Sequence, residues 1–394
     1  MFAYSCEPGK GSEPGVGWMW ARMLARIADS VVVITRANNA GSIEAELPST
    51  PERERLEFEY VDLPAWARFW KRGPRGARLY YLLWQVAALR RAREIRKRRQ
   101  FGIVWHLTLA NLWLGSLAPL ATPEGAAFVY GPVGGGVTPP RRLLMHLGPR
   151  GFLYEVARGL ARLVGRYLNP LSRLAWKRSS LLLAQNPETL AWLPKKYQMK
   201  YRIFAHGIIE DLPAGSEESR TPRTALFAGR VVTWKGLGLA LRAVALTEGW
   251  RMTVCGEGPD ERRLKKLVSE LNLTERVRFL GSVPRDEVKH LMRISDVFLY
   301  PSLHDDSPLA IVEAMACGLP VICLDRGGPP VLIGPAGGRA VPAEGSPQRI
   351  SRSLAECLAN GMPDRADVIE RARTLTVPIR AEELRNLLVR EGLL

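Results

Sequence analysis

Apolar residues along this 394-residue chain fall into two rhythms, short β-branched runs and stretches with helical spacing. "VVVIT" (31–35) is a buried-strand run. Ahead of it, "FAYS" (2–5) reads as a short strand and "WMWARMLARIAD" (18–29) as a helix. Further strands are predicted at 101–105, 126–130, 180–184 and 201–205. Residues 138–178 form a basic, apolar-striped region that predicts two or more helices. From 224 the alternation becomes regular. Strands are expected at 224–229, 250–256, 277–281, 297–301 and 320–325, with helices at 237–247, 260–272, 286–295 and 309–318. Strands alternating with helices of this length predict βαβ units and parallel sheets.

Pro, Gly, Ser and acids break the pattern over 208–223, which marks a linker. The expected organisation is an α/β chain with two Rossmann-like parallel-sheet domains facing across a cleft. The first covers 1–207 and the second 224–375, with a terminal helix over 376–394 returning to the first domain. Ligands of such sheets sit at the carboxyl ends of the strands.

Composition narrows the setting. The chain is 46% hydrophobic and 24% charged, as in ordinary globular proteins. No apolar run reaches the roughly 18 residues of a spanning helix. The opening residues lack the basic and apolar regions of a signal peptide. Little chain precedes "FAYS", which leaves open a start further upstream or a short strand. The five cysteines are scattered and form no CxxC, so a reduced, cytoplasmic chain without a structural zinc is expected. Charge is uneven. Residues 1–200 hold 30 Lys+Arg against 14 Asp+Glu, and residues 201–394 hold 26 against 25. Different partners for the two halves are implied.

Candidate chemistry follows the predicted strands. "EPGVGW" (13–18) follows "FAYS" and opens a helix. Gly15, Val16 and Gly17 could admit an anion at a helix N-terminus, or form a plain strand-to-helix turn. The turn is neither GxGxxG nor a P-loop. In "FAGRVVTWKG" (227–236), Gly229 ends a strand, and Arg230 and Lys235 flank the next helix start. Two cations there suit a pyrophosphate, or a solvated basic turn. "CGEGP" (255–259) repeats the layout with Gly256, Glu257 and Gly258. "SLHDDSPLAIVEAMACG" (302–318) places Glu313 inside an apolar helical run, eight residues after Asp305. A buried carboxylate needs a partner, internal or a ligand. His106 follows an apolar strand, which suits either a packed imidazole or a site residue. His206 and His304 are weaker candidates, although His304 adjoins Asp305.

The order of "FAGRVVTWKG", "VCGEGP", "VRFLGSVPRDEVKHLMRISDVFLYPS" and "SLHDDSPLAIVEAMACGLPVI" resembles the carboxyl-terminal domain of family 4 retaining glycosyltransferases, enzymes of the GT-B fold. The resemblance runs unbroken over about 224–330. "GSEPGVGW", "WHLTLAN" and "YGPVGGG" look like a branch of the same family. The resemblance implies a nucleotide-sugar donor as co-substrate and transfer with retention at the anomeric carbon. Glu313 takes the place of the family acid that binds the nucleotide ribose. Asp305 stands where the family has Glu near the donor sugar, a shorter side chain that puts the sugar contact in question. Backbone N–H groups over Asp306–Leu309 would meet sugar and phosphates. Pro308 has none to offer, so Ser307 and Leu309 are favoured. Arg230 and Lys235 match the pyrophosphate-binding cations, Val283 the backbone contact to the base, and His106 a histidine facing the donor sugar. No D-x-D occurs, so no metal and no further cofactor is implied.

A lipid-linked or saccharide acceptor is expected. Residues 61–99 carry 12 Lys+Arg against two acids, interleaved with Trp66, Phe69, Trp70, Tyr80, Tyr81 and Trp84. Residues 141–178 carry nine against one, Glu155. Both stretches suit peripheral contact with an anionic membrane at the inner face of the cell membrane, or a helix with its apolar side in the core. No nucleic-acid-binding module is recognised. A nucleotide-sugar epimerase of the same fold is the nearest rival reading; a non-enzymatic binding protein built on the basic half is more distant.

Overall fold

The β-branched and leucine-rich runs form strands that all pair in parallel in the computed structural model, which describes residues 1–67, 76–212 and 221–394. Contacts divide the chain into two units. One comprises 1–136, 160–208 and 377–394, and the other 137–159 and 209–376.

The first unit holds β1 (Val31–Arg36), β2 (Leu56–Val61), β3 (Ile103–His106), β4 (Ala127–Val133), β5 (Leu181–Ala184) and β6 (Tyr201–Ile203). β1 pairs with β2, and β3 to β6 pair in sequence order. "FAYS" supplies the missing central strand in minimal form. Phe2 bridges Ile34 of β1 on one side and His106 of β3 on the other. Phe2 donates to the Trp105 carbonyl at 2.7 Å, and Leu107 donates to the Phe2 carbonyl at 3.0 Å. The strand order is thus a doubly wound one, reversing direction between Phe2 and β3. β2 escaped the sequence reading because "LEFEYV" alternates acids with apolar residues instead of running apolar.

Helix α1 (Ser12–Ile27) follows the Phe2 segment. Helix α2 (Ala77–Arg96) buries Tyr80, Tyr81, Trp84 and Leu89 in the core of this unit. This corrects the expectation that the aromatics of 61–99 face a surface among cations. At helical spacing these large rings lie on one side and are drawn out of water, worth roughly 2 kcal/mol per ring. Trp66 does remain 77% exposed. Phe69 and Trp70 lie outside the described residues. Part of the charge is also matched locally, since Arg91 pairs with Glu59 and Glu94, and Arg99 with Glu57.

The basic stretch after 138 forms α3 (Gly148–Tyr167) and α4 (Pro170–Arg178), preceded by a short turn of helix at Arg141–Leu144. Asn169 caps α4, its side chain accepting from the Leu171 N–H at 2.9 Å.

Among the described residues the second unit has six strands: β7 (Thr224–Ala228), β8 (Arg251–Cys255), β9 (Val277–Gly281), β10 (Val297–Tyr300), β11 (Val321–Leu324) and β12 (Gly338–Val341). Their order is β12-β11-β10-β7-β8-β9, all parallel. Both faces of such a sheet are covered, so "LFA", "VFLY" and "VICL" read as continuous apolar runs and are fully buried. The helices α5 (Leu237–Ala245), α6 (Glu261–Glu270), α7 (Arg285–Ile294) and α8 (Leu309–Ala316) follow β7, β8, β9 and β10. Helix α9 (Val377–Arg390) groups with the first unit and packs on α1.

Residues 137–159 fall in the second unit, whereas the sequence reading assigned them to the first domain. Particular contacts hold them there. Tyr154 stacks on Trp234 at 4.8 Å between centroids, and Glu155 Oε1 lies 2.6 Å from His304 Nε2.

Candidate donor site

In the second sheet the chain winds away in opposite senses from the adjacent strands β7 and β10. Loops leaving their carboxyl ends diverge there and open the crevice where ligands of such sheets sit. The loop after β7 carries Arg230 to Lys235, and the loop after β10 carries Ser302 to Pro308. The two loops meet. Lys235 Nζ lies 2.7 Å from Asp305 Oδ2 and also donates to the Tyr300 hydroxyl. The Tyr300 hydroxyl donates to the same Asp305 oxygen at 2.9 Å. The side chains of Lys235 and Asp305 are 15% and 19% exposed. Burial alone would push the Asp305 carboxyl up. The charge and hydrogen bond of Lys235, helped by Ser302, overcome it and hold the carboxyl below its usual value. Burial and the neighbouring Asp305 charge push the Tyr300 phenol well up, so it stays a neutral donor.

Glu313 lies on α8, half-buried. It is not sealed in the core as its apolar surroundings suggested. Its partner is Arg285 at the start of α7, with Nη2 2.5 Å from Glu313 Oε1. An internal partner therefore exists, and a ligand would compete with or add to it. Arg285 went unnoticed because "VPRDEVKH" looks like any solvated helix start. Arg230 is exposed and makes no ion pair among the described residues, unlike Lys235. Val283 is half-buried in the β9–α7 loop. Asp306, Ser307 and Leu309 surround the N-terminus of α8, capped by Pro308. The Ser307 hydroxyl oxygen is buried without a hydrogen-bond partner among the described residues. A buried unmatched hydroxyl at a helix N-terminus suits an anionic or hydroxylated ligand.

His304 is buried beside this cluster. Its ring lies near Trp234, at 5.5 Å, and Tyr154, at 6.5 Å, both roughly parallel to it. Glu155 closes the set. Its signal in the sequence was its isolation as the one acid within 141–178. Trp234 was visible beside Lys235, and Tyr300 as the polar tip of an apolar strand.

The glycines of the candidate loops have packing work to do. A side chain at Gly256 would stand 2.0 Å from the Gly229 carbonyl, and one at Gly258 2.1 Å from the Val231 carbonyl. These residues let the β7 and β8 loops lie against each other. Glu257, between them, is exposed and accepts from the Ser282 N–H at 3.2 Å.

In the first unit two expectations change. Gly15, Val16 and Gly17 lie inside α1, not in a turn before it. A β-carbon on Gly15 or Gly17 would come 2.0 Å from the Lys10 or Ser5 carbonyl. The segment 5–10 therefore covers them, and close chain approach accounts for the two glycines. His106 is 1% exposed, at the end of β3. Its Nε2 contacts the Tyr81 hydroxyl at 2.8 Å and its Nδ1 the Ser116 hydroxyl at 2.7 Å. Both ring nitrogens are occupied, so neither faces a sugar in this arrangement. Burial lowers its pKa to about 3, and His206, also buried, to about 3. Among the described residues no cluster of His, Cys, Asp and Glu could hold a metal ion, and no helix is long and apolar enough to cross a membrane.

Comparison with known proteins fits this geometry. The chain resembles the lipopolysaccharide outer core galactosyltransferase WaaB in its apo form, with a TM-score of 0.66 at 13% identity, covering 99% of this chain and 98% of that one. It also resembles HepE of Anabaena in complex with UDP and glucose, with a TM-score of 0.57 at 16% identity over 99% of both chains. The fold is that of the GT-B glycosyltransferases. Residues 209–375, in the second unit, match the family Glycosyl transferases group 1. Among curated relatives, the amylovoran biosynthesis glycosyltransferase AmsK of Erwinia amylovora is 28% identical over 52% of this chain. The aligned part spans 50% of that relative.

Proposed function

We propose that this chain is a retaining glycosyltransferase that moves a sugar from a nucleotide-sugar donor to a saccharide or lipid-linked acceptor without a bound metal. The observation that carries the reading is the junction of Lys235, Tyr300 and Asp305 at the switch point of the second sheet, inside the segment that matches the glycosyl transferases. HepE, solved with UDP and glucose, supports a UDP-sugar as the first donor to test. AmsK, by its name a biosynthetic glycosyltransferase of the polysaccharide amylovoran, supports a glycan product. The epimerase alternative gains no support from these relatives.

In this reading Arg230 and the N-terminus of α8 face the diphosphate, with Ser307 and Leu309 offering N–H groups. Glu313 takes the ribose hydroxyls, and Val283 holds the base through its backbone. Asp305 and His304 border the sugar. Charge grows on the departing diphosphate as the anomeric C–O bond breaks, so fixed cations accelerate the step most. Lys235 can serve there only by sharing its charge between Asp305 and the phosphate. Retention follows if the acceptor oxygen bonds to the same face of a short-lived oxocarbenium-like ion pair. We place the reaction in the cytoplasm, with a lipid-linked acceptor at the inner face of the membrane.

Isothermal calorimetry with UDP tests the donor site. The protein should bind UDP without added metal, and Glu313→Ala should weaken binding by at least about tenfold, the worth of one lost charge-assisted hydrogen bond. Equal affinity in the variant removes Glu313 from the site. A thermal-shift panel of nucleoside diphosphates and nucleotide sugars then identifies the base and sugar, because a specific ligand raises the melting temperature by mass action.

A further inference from the structure

Arg285 is the first residue of α7 and follows Pro284 at the helix start. A helix N-terminus is the positive end of the backbone dipole, so acids are favoured there and a cation is opposed. Asp286 and Glu287 obey that rule in the first turn, and Arg285 breaks it. Its partner lies 28 residues further on, with Nη2 2.5 Å from Glu313 Oε1. The Arg285 side chain is 48% exposed. An ion pair this open to water adds little to stability. With the dipole working against the cation, stability does not account for an arginine at this position.

Glu313 shows what the pair does. It sits on α8 between Val312 and Ala314, both buried, and its own side chain is 22% exposed. A glutamate has three rotatable bonds, and an unheld one in apolar surroundings turns out to water. A guanidinium presents its N–H donors in a rigid plane, so it fixes the direction of a carboxylate as well as meeting its charge. Nη2 meets Oε1, and Oε2 is the oxygen left to accept from a ligand. The pair also spans two parts of the candidate site. Arg285 follows Val283 of the β9–α7 loop by two residues, and Glu313 lies one turn inside α8, beyond Ser307 and Leu309.

We propose that Arg285 is a positioning residue of the donor site. It holds the Glu313 carboxylate in the orientation that accepts a ribose hydroxyl, and it does not itself bind the phosphates. This assignment rests on the donor-site reading above. The nucleotide meets an acceptor that is already oriented, so ordering of the glutamate side chain is no longer a cost of binding. A sugar without the hydroxyl gains nothing from Oε2. Arg285 therefore acts on the discrimination between ribose and deoxyribose.

Isothermal calorimetry of the full chain with UDP, 2′-deoxy-UDP, 3′-deoxy-UDP and UMP tests it. A different base found in the thermal-shift panel replaces uracil in all four ligands. The wild type should prefer UDP to at least one deoxy form by about tenfold or more, the worth of a hydrogen bond to a carboxylate. In Arg285→Ala this preference should fall to about twofold, while the ratio of UDP to UMP affinity keeps its wild-type value. Arg285→Lys supplies the charge without the planar fork and should recover part of the preference. Adding Arg285→Ala to Glu313→Ala should lower the preference no further, because the two residues act as one unit. Arg285 is half exposed, so its variants should keep the wild-type melting temperature. An Arg285→Ala protein with the wild-type preference for ribose overturns the proposal. So does one whose UDP to UMP ratio falls, because the arginine then binds phosphate directly. A wild type that binds UDP and its deoxy forms equally takes Glu313 off the ribose and overturns the proposal with it. A wild type that binds no nucleoside diphosphate overturns the donor-site reading itself.

Discussion

Lys235 and Asp305 lie 2.7 Å apart although 70 residues separate them, one on the loop after β7 and the other on the loop after β10. The contact ties together the two loops that diverge at the sheet's switch point. It also decides how each group behaves, since the lysine is what holds a mostly buried carboxylate ionised.

Lys235→Met should therefore destabilise the second unit in a pH-dependent way. Asp305 has a lowered pKa in the folded state, so its contribution is present above the ordinary carboxylate pKa and lost as pH falls through the lowered value. Without Lys235, burial raises the carboxyl instead. The variant should lose about 3 kcal/mol at pH 7. The deficit should shrink as pH falls towards about 4. Urea unfolding at the two pH values measures it. A deficit that does not change with pH means that Asp305 is not the group affected.

In the proposed reaction Arg230 is the cation best placed to act on the leaving group, because among the described residues it makes no ion pair. Arg230→Ala should lower kcat more than it changes the donor KM, by a few hundredfold or about 3 kcal/mol. Steady-state kinetics with the donor found in the thermal-shift panel provides the test. A change confined to KM would mean that Arg230 binds the donor without favouring its departure.

His106 and His206 predict acid sensitivity in the first unit. Both have folded pKa values of about 3 against an ordinary 6.5, the result of burial. For a base with a lowered pKa, the neutral folded form is fully stable above the unfolded value and loses stability as pH falls below it. Each ring should cost about 1.4 kcal/mol per pH unit below 6.5. Replacing both by Gln should flatten the wild-type slope by roughly twice that amount between pH 6.5 and about 5, as followed by urea unfolding. An unchanged slope would mean that the rings take up protons equally in both states, so that burial does not hold them neutral in the folded chain.

Glu155 and His304 form a buried contact at 2.6 Å under the Trp234 and Tyr154 rings. Glu155→Ala removes the polar group that lies against a buried imidazole nitrogen and should cost about 2 kcal/mol. Glu155→Gln keeps an accepting oxygen and should cost much less. Chemical denaturation compares them. Unequal losses in that order would assign the effect to the polar contact with the ring, and equal losses to loss of the carboxylate itself.

Periodicity alone made most of the second unit legible. Its strands are covered on both faces, so each is an unbroken apolar run, and its helices carry one apolar stripe. β12 was missed because "GRAV" is short and carries an arginine, and β2 because acids interrupt it. The central strand of the first unit is visible only as "FAYS", since three-dimensional pairing compresses it to a bridge at Phe2.

The sequence by itself determined the βαβ rhythm and the residue types at the candidate donor site, because these depend on neighbours within a turn or a strand; most of the expected linker, 213–220, lies outside the described residues. Tertiary structure decided which of those residues meet. It paired Lys235 with Asp305 and Arg285 with Glu313, brought Glu155 to His304, and buried His106 among hydroxyls. It also turned the aromatics of α2 inward and left the leucines of α3 in solvent, although both stretches read alike as basic and apolar. The physical reason is that amphipathic spacing shows that a helix has two faces, while only the packing of distant segments settles which face water keeps.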